Sequence, residues 1–427
     1  LAKPGEPKPA FEKRLAQLKV NHHAFKAYPT VFWDIAGEQG HPLRTTVSEL
    51  GPILMGRLLN LNATQQSVLE LAFQIADAQG YLLVELEDIQ ALLTHLSTEG
   101  KAYEAEFGAL PKASLGAIQR QLSALAGQGG EAFFGEPALD LPSWLQSADD
   151  GRGRIHVLRA DALIQQPRLY AAVMLWLLSE WYEQLPEAGD LTQPKLVLML
   201  DEAHLLFEDA PEILLDKITQ VARLIRSKGV GVFFITQNPS DIPETVRGQL
   251  GNRVLHALRA FSPKDQKVIR ALAQSLPSNP ALGDADTLET KLTTLGIGEA
   301  LVSTLTNNGA PTPTQHALIL PPCSYVGPLT PQERQAVIAR SPFAGRYDTR
   351  IDRDSAYEQL QQRVAQTLAP VDAPEKAKPR EARQQASGVE LMFKNVMRSV
   401  GSELGRQMTR SILGSLGLST TQRRRRR

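Results

Sequence analysis

The 427-residue sequence contains one cysteine, Cys323, so no disulfide can form within it. That usage fits a reducing compartment. Also missing is any run of the roughly 20 apolar residues that a membrane-spanning helix needs. The most apolar stretch, "LYAAVMLWLLSEWY" from Leu169 to Tyr182, is interrupted by Glu180. The start shows no secretory signal pattern. The expected location is therefore the cytoplasm. The first residue is Leu1 rather than Met, which reads as a trimmed chain. Net charge is absent too, with 46 basic residues against 46 acidic ones. The balance hides an asymmetry. Residues 346–427 hold 17 Lys and Arg against 9 Asp and Glu, and the last five are all arginine. A basic tail follows a mildly acidic body.

One further absence matters more. A phosphate-binding loop reads G-x-x-x-x-G-K-[ST]; its amides wrap the phosphates, its Lys neutralises them and its hydroxyl binds magnesium. The one Gly–Lys pair is Gly100–Lys101. His95 stands where the first glycine belongs, and Ala102 stands where the hydroxyl belongs. The G-x-x-G of "GEQGHP" lacks a third glycine. The chain has no such loop. No metal site is expected at the histidine pair. His22–His23 has no cysteine or carboxylate cluster at ligand spacing, and Cys323, lying between Pro322 and Ser324, reads as a buried structural thiol.

What is present is ordered by apolar periodicity. Residues 1–46 read as a polar Pro/Lys-rich segment, a short helix and one buried strand, Val31 to Ile35. Residues 47–150 read as an inserted helical subdomain, with Asn62 or Thr64 as an N-cap and glycines as stops. Residues 151–345 alternate apolar strands with helices: strands at 155–158, 196–200, 230–236 and in "NRVLHAL", then two that form a terminal hairpin. Nearly all-apolar strands separated by helices argue an α/β fold whose parallel sheet is covered on both faces. Residues 346–388 read as a Pro/Ala/charged linker, and 389–427 as an amphipathic helix with a basic end.

The stretch "KLVLMLDEAHLLFEDAP", residues 195–211, carries the chemistry. A strand-terminal acid pair lies at the carboxyl edge of the sheet, where ligands of open α/β folds bind. In nucleotide hydrolysis Asp201 would orient magnesium through a water, and Glu202 would act as general base on the attacking water. Thr236 and Gln237 end the next strand at the same edge and suit contact with a γ-phosphate or that water. Arg226 and Arg253 are candidates for an arginine acting in trans. A surface acid pair, a strand-ending turn, an arginine meeting a helix dipole and a locally bonded His204 are the plainer alternatives.

These phrases, with "QVARLIRSKGVGVFFITQNPSDIP", "QLGNRVLHALRAFSPKDQ" and "VFWDIAGEQGHPLRTTVSELGP", resemble the YjgR-type group of HerA-like ATPases in the HerA–FtsK branch of P-loop motor proteins. The resemblance runs from about residue 1 to 345. It implies a RecA-like core, ATP and magnesium as cofactors, a hexameric ring and DNA translocation. It maps the Walker B acids onto Asp201 and Glu202, the sensor onto Gln237 and the arginines onto Arg226 and Arg253. In that family the phosphate loop lies before the point where this chain begins, so this fragment is expected to be inactive. The rival is a non-catalytic oligomeric scaffold. For the tail, subunit packing, nucleic-acid phosphates and peripheral contact with an anionic membrane all remain open.

Overall fold

The computed structural model describes residues 1–189, 191–208 and 210–368. The expected helix at 389–416 and its arginine end lie outside them.

The chain is α/β with parallel strand pairs and a helical insertion. Strand β1 (Thr30–Asp34) lies between β2 (His41–Pro42) and β3 (Ile155–Leu158), parallel to both. Between β2 and β3 the chain folds into helices Val47–Leu58, Ala63–Gln79, Leu86–Glu99 and Lys112–Ala126. Their starts are local. Thr46 with Glu49, and Asn62 with Gln65, form reciprocal capping boxes, which satisfy amides that a helix end leaves open. Gly80 stops the second helix in a left-handed conformation, φ 69, that other residues adopt at a cost. Leu69, Ile75, Ile89, Leu93, Ile118 and Leu122 are buried in one continuous core that also takes in helix Pro167–Gln184.

Strands β4 (Leu196–Leu200) and β5 (Val230–Phe234) pair in parallel, joined through helix Glu212–Leu224. Their side chains alternate. Leu196, Leu198, Leu200, Val232 and Phe234 pack against the main core. Val197, Met199, Phe233 and Ile235 point the other way and are 39%, 67%, 52% and 46% exposed. The expectation of a sheet covered on both faces is therefore corrected: the described residues cover one face of this pair. Its strands are apolar on both sides, as in a sheet with two cover layers.

Strands β6 (Arg253–Leu255), β7 (Glu299–Ser303) and β8 (Gln315–Leu318) form an antiparallel sheet, which includes the expected hairpin. Helices Pro263–Ser275 and Ala285–Thr294 pack on it around a second core of Ile269, Leu288, Leu292 and Leu301. Cys323 is half-buried rather than buried.

The linker expected from Arg346 is corrected over its described part. Residues 346–368 run back onto the helical block as a strap ending in helix Ala356–Leu368. Tyr347, Ala356 and Leu360 are buried. The charges that made it read as linker are paired: Arg346 with Asp140 at 3.0 Å, Arg350 with Glu85 at 3.0 Å, Arg353 with Glu136 at 2.5 Å. At its centre Asp88, 1% exposed, accepts the amides of Val84 (2.9 Å) and Glu85 (2.7 Å) with one oxygen. The other oxygen accepts the Ser355 hydroxyl (2.5 Å) and the Tyr357 amide (3.0 Å). Asp88→Ala leaves the amides of Val84, Glu85 and Tyr357 without an acceptor, while the Ser355 hydroxyl keeps Glu358. It should cost on the order of 3–5 kcal/mol in urea denaturation and speed proteolysis within 346–368. Wild-type stability and cleavage would reject the clamp.

An aromatic cluster ties the strap to β1 and β3. Trp33, fully buried, donates its indole N–H to Nδ1 of His156 at 3.0 Å. His156 stacks on Trp144 at 4.6 Å and 9°; Phe343 and Tyr347 close the cluster. Burial pushes the His156 imidazole down to about 4, and the Trp144 backbone offers only partial relief. A folded-state pKa below the unfolded value of about 6.5 gives stability that is complete above that pH and is lost as pH falls toward 4. The loss should reach up to about 3 kcal/mol. Urea midpoints of wild type and His156→Phe at stepped pH should diverge across that window; parallel profiles would exclude His156 as the cause.

Candidate functional site

The site begins where β4 ends. Backbone bonds join the chain beyond both strand ends: the Ile235 amide donates to Leu200 O at 2.9 Å, and the Ala203 amide to Ile235 O at 2.8 Å. This brings the turn carrying Asp201 and Glu202 beside Thr236 and Gln237. Glu202 sits in the left-handed region, φ 46 and ψ 48. A non-glycine residue there is uncommon and strained by about 1–2 kcal/mol.

Two neighbours hold the Glu202 carboxylate. Gln237 Nε2 donates to Oε1 at 3.0 Å. His204 Nδ1 lies 3.4 Å from Oε2, an ion-pair distance without hydrogen-bond alignment. Oε2 is shielded from solvent yet has no hydrogen bond, so it keeps an unused lone pair. Asp201 Oδ1 accepts the Glu202 amide at 3.0 Å, and the residue is exposed. Thr236 turns to Asn238, with its hydroxyl 3.3 Å from the carbonyl and 3.4 Å from the amide; it is engaged in the turn before Pro239–Asp241.

Carboxylate oxygens of this kind suit Mg²⁺, a hard cation that keeps several waters and takes one or two carboxylates plus substrate phosphates. The orphaned Glu202 oxygen and the open Asp201 carboxylate fit that pattern. Among the described residues no three His, Cys, Asp or Glu side chains converge on one point, so phosphate and water oxygens would have to complete the coordination. A cleft lined by Ile164, Tyr170, Leu205, Glu208 and Leu214 among others, to which neither acid contributes, has no Lys or Arg in its lining. Burial there pushes the Tyr170 hydroxyl up to about 12. Such a lining does not cradle phosphates.

The two arginines are not part of this cluster. Arg226 lies in the 3-10 turn Ile225–Lys228, just before β5. Since β4 and β5 run parallel, it stands at the amino edge, about 16 Å of strand from the acids. Arg253, in β6, donates to the Ser275 hydroxyl at 2.8 Å. Neither reaches Glu202 within the chain. Sequence reasoning missed the contact of Gln237 with Glu202 and the left-handed turn; the strand-end positions hinted at the first, and nothing in a Glu signals the second.

Residues 1–424 match the family described as Helicase HerA-like C-terminal. The chain belongs to this HerA-like family. A probable helicase, MJECL08 of Methanocaldococcus jannaschii, is 33% identical over 125 residues, 28% of this chain and 21% of that protein. The matched stretch thus spans about a fifth of its curated relative. Among solved structures, the plasmid coupling protein TrwB with a non-hydrolysable GTP analogue aligns over 70% of this chain and 76% of its own (TM-score 0.46, 14% identity). VirB4 of Thermoanaerobacter pseudethanolicus aligns over 77% and 81% (TM-score 0.45, 16% identity).

The strain at Glu202 has a measurable consequence. Glu202→Gly should leave folding stability unchanged or raise it by up to about 1 kcal/mol, because glycine adopts this conformation freely. Calorimetry on both proteins measures it. A loss above about 1 kcal/mol would show that the contacts to Gln237 and His204 are there for stability.

Proposed function

We propose that this chain is the acid-bearing part of an ATP-hydrolysing motor, ring-forming and acting on DNA in the cytoplasm. The carrying observation is Glu202: a strained carboxylate at a sheet's carboxyl edge, held on one oxygen by Gln237 with its other oxygen unused. Strain retained beside an acid pair points to function.

Glu202 Oε2 accepts the proton of the attacking water as its oxygen bonds to the γ-phosphorus and the bond from that phosphorus to the bridging oxygen breaks, releasing the nucleoside diphosphate. Gln237 fixes the orientation of that carboxylate, so a shift of Gln237 with nucleotide state would turn the base toward or away from the water. Asp201, facing outward, would hold magnesium through a water, and Thr236 stands at the same edge to meet the phosphates. Bound magnesium would supply charge neutralisation on the phosphates. Arg226 and Arg253, remote from Glu202 in their own chain, suit a role in trans across a subunit boundary of the hexamer. The basic tail adds phosphate or peripheral membrane contact.

The phosphate cradle is not among residues 1–427, and two features support this. No G-x-x-x-x-G-K-[ST] occurs in the sequence. The β4–β5 pair has an uncovered apolar face. That same lack of a cradle favours the second reading, a non-catalytic scaffold.

Fluorescent ATP should therefore bind the 427-residue chain too weakly to saturate at millimolar concentration. Tight magnesium-dependent binding by this chain would overturn the missing cradle. In a protein that carries a cradle, Glu202→Gln should keep nucleotide affinity and lose hydrolysis by about 100-fold or more. Unchanged turnover would refute the base, and no turnover in the parent protein would favour the scaffold.

A further inference from the structure

Phe261 is 91% exposed, yet its backbone is not loose. It precedes helix Pro263–Ser275, whose N-cap Ser262 and Asp265 form a capping box. The Asp265 carboxylate accepts the amides of Phe261 at 3.1 Å and Ser262 at 2.9 Å. Two residues earlier, the Arg259 guanidinium donates to the carbonyls of Thr293 and Leu295. The ring is thus held out by anchored chain on both sides.

An apolar residue just before an N-cap normally packs on the residue four positions into the helix. Here that position is Gln266, which is exposed. Phe261 has no staple partner, and leaving a phenylalanine in water forgoes a large burial gain.

Two cations and one acid stand around it. Lys264 and Lys267 are exposed and have no ion-pair partner among the described residues. Spaced three apart, they share one helix face. Lys264 stands in the first turn, where a cation opposes the helix dipole, so helix stability does not explain it. The acid of that turn, Asp265, is spent on backbone amides, while Arg270 farther along is paired with Glu289 at 3.0 Å. First-turn amides are used by the capping box, so the surface is not an amide nest.

We propose that Phe261, Lys264 and Lys267 form a contact for single-stranded nucleic acid, with the ring stacking on a base and the lysines against phosphates. An aromatic platform beside unpaired cations is what sequence-tolerant strand binding uses. Ala260, Ser262 and Pro263 add little apolar area, far below the roughly 800 Å² per partner of a stable protein interface. The inference rests on the nucleic-acid part of the reading above and locates its contact.

The test uses the full chain, a fluorescein-labelled oligothymidylate and an iodouracil-substituted oligonucleotide for photocrosslinking. Phe261→Ala should weaken binding by between about 5-fold and 150-fold. Phe261→Trp should retain it, and the crosslink should map to residue 261. Lys264→Glu with Lys267→Glu should weaken binding and flatten its salt dependence. Because the ring is exposed, the thermal midpoint of Phe261→Ala should match wild type. Wild-type binding by all variants, with crosslinks elsewhere, overturns this contact and leaves a nucleic-acid role standing. A wild-type chain that binds no oligonucleotide sinks both. Phe261-dependent capture on phosphatidylserine vesicles without oligonucleotide binding also overturns it.

Discussion

The parallel register of β4 and β5 is the constraint on which the site depends. Leu200 pairs with Phe234, and two further backbone bonds tie together the segments beyond both strand ends. Everything chemical follows from those bonds. They oppose Asp201–Glu202 to Thr236–Gln237 across about one strand spacing of 4.8 Å, close enough for Gln237 to reach Glu202. A slip of one residue would turn each side chain to the opposite face. It would expose Leu198 and bury Met199, so the core packing beneath β4 and β5 protects the geometry above them.

The local parts of this arrangement were legible in the sequence. Apolar runs stopped by Asp201 and Gln237 marked the strands, and capping residues such as Thr46 and Asn62 marked the helices. Tertiary facts were not legible. An all-apolar strand does not say which face is covered, so the exposure of Met199 and Phe233 depends on neighbours the pattern cannot name. Residues 346–368 were misread because composition counts charges without seeing that Glu85, Glu136 and Asp140 match them. The separation of Arg226 from Glu202 was already implicit, since two parallel strands joined by a helix put the start of the second far from the end of the first.

Polar groups in this fold divide by how completely they are satisfied. Asp88 uses both oxygens on four donors and is committed to holding two segments together. Glu202 uses one oxygen well and the other poorly, at a backbone angle that favours another residue. A fully satisfied buried carboxylate is architecture, whereas a half-satisfied strained one is held ready for something else.

The strap also has a mechanical meaning. It is anchored on the helical block through Asp88 and Arg350, while residues 3–26 lace onto Cys323, Tyr325 and Glu333 at the other end of the chain. A pull applied at Leu368 would meet the packing of helix Ala356–Leu368 first, then the Asp88 bonds, then Arg350. None of the groups bonded to Asp88 or Arg350 belongs to β4, β5 or the acids at their tips. The strap and the acid pair thus rest on separate sets of bonds, and loosening the one leaves the hydrogen bonds of the other unbroken.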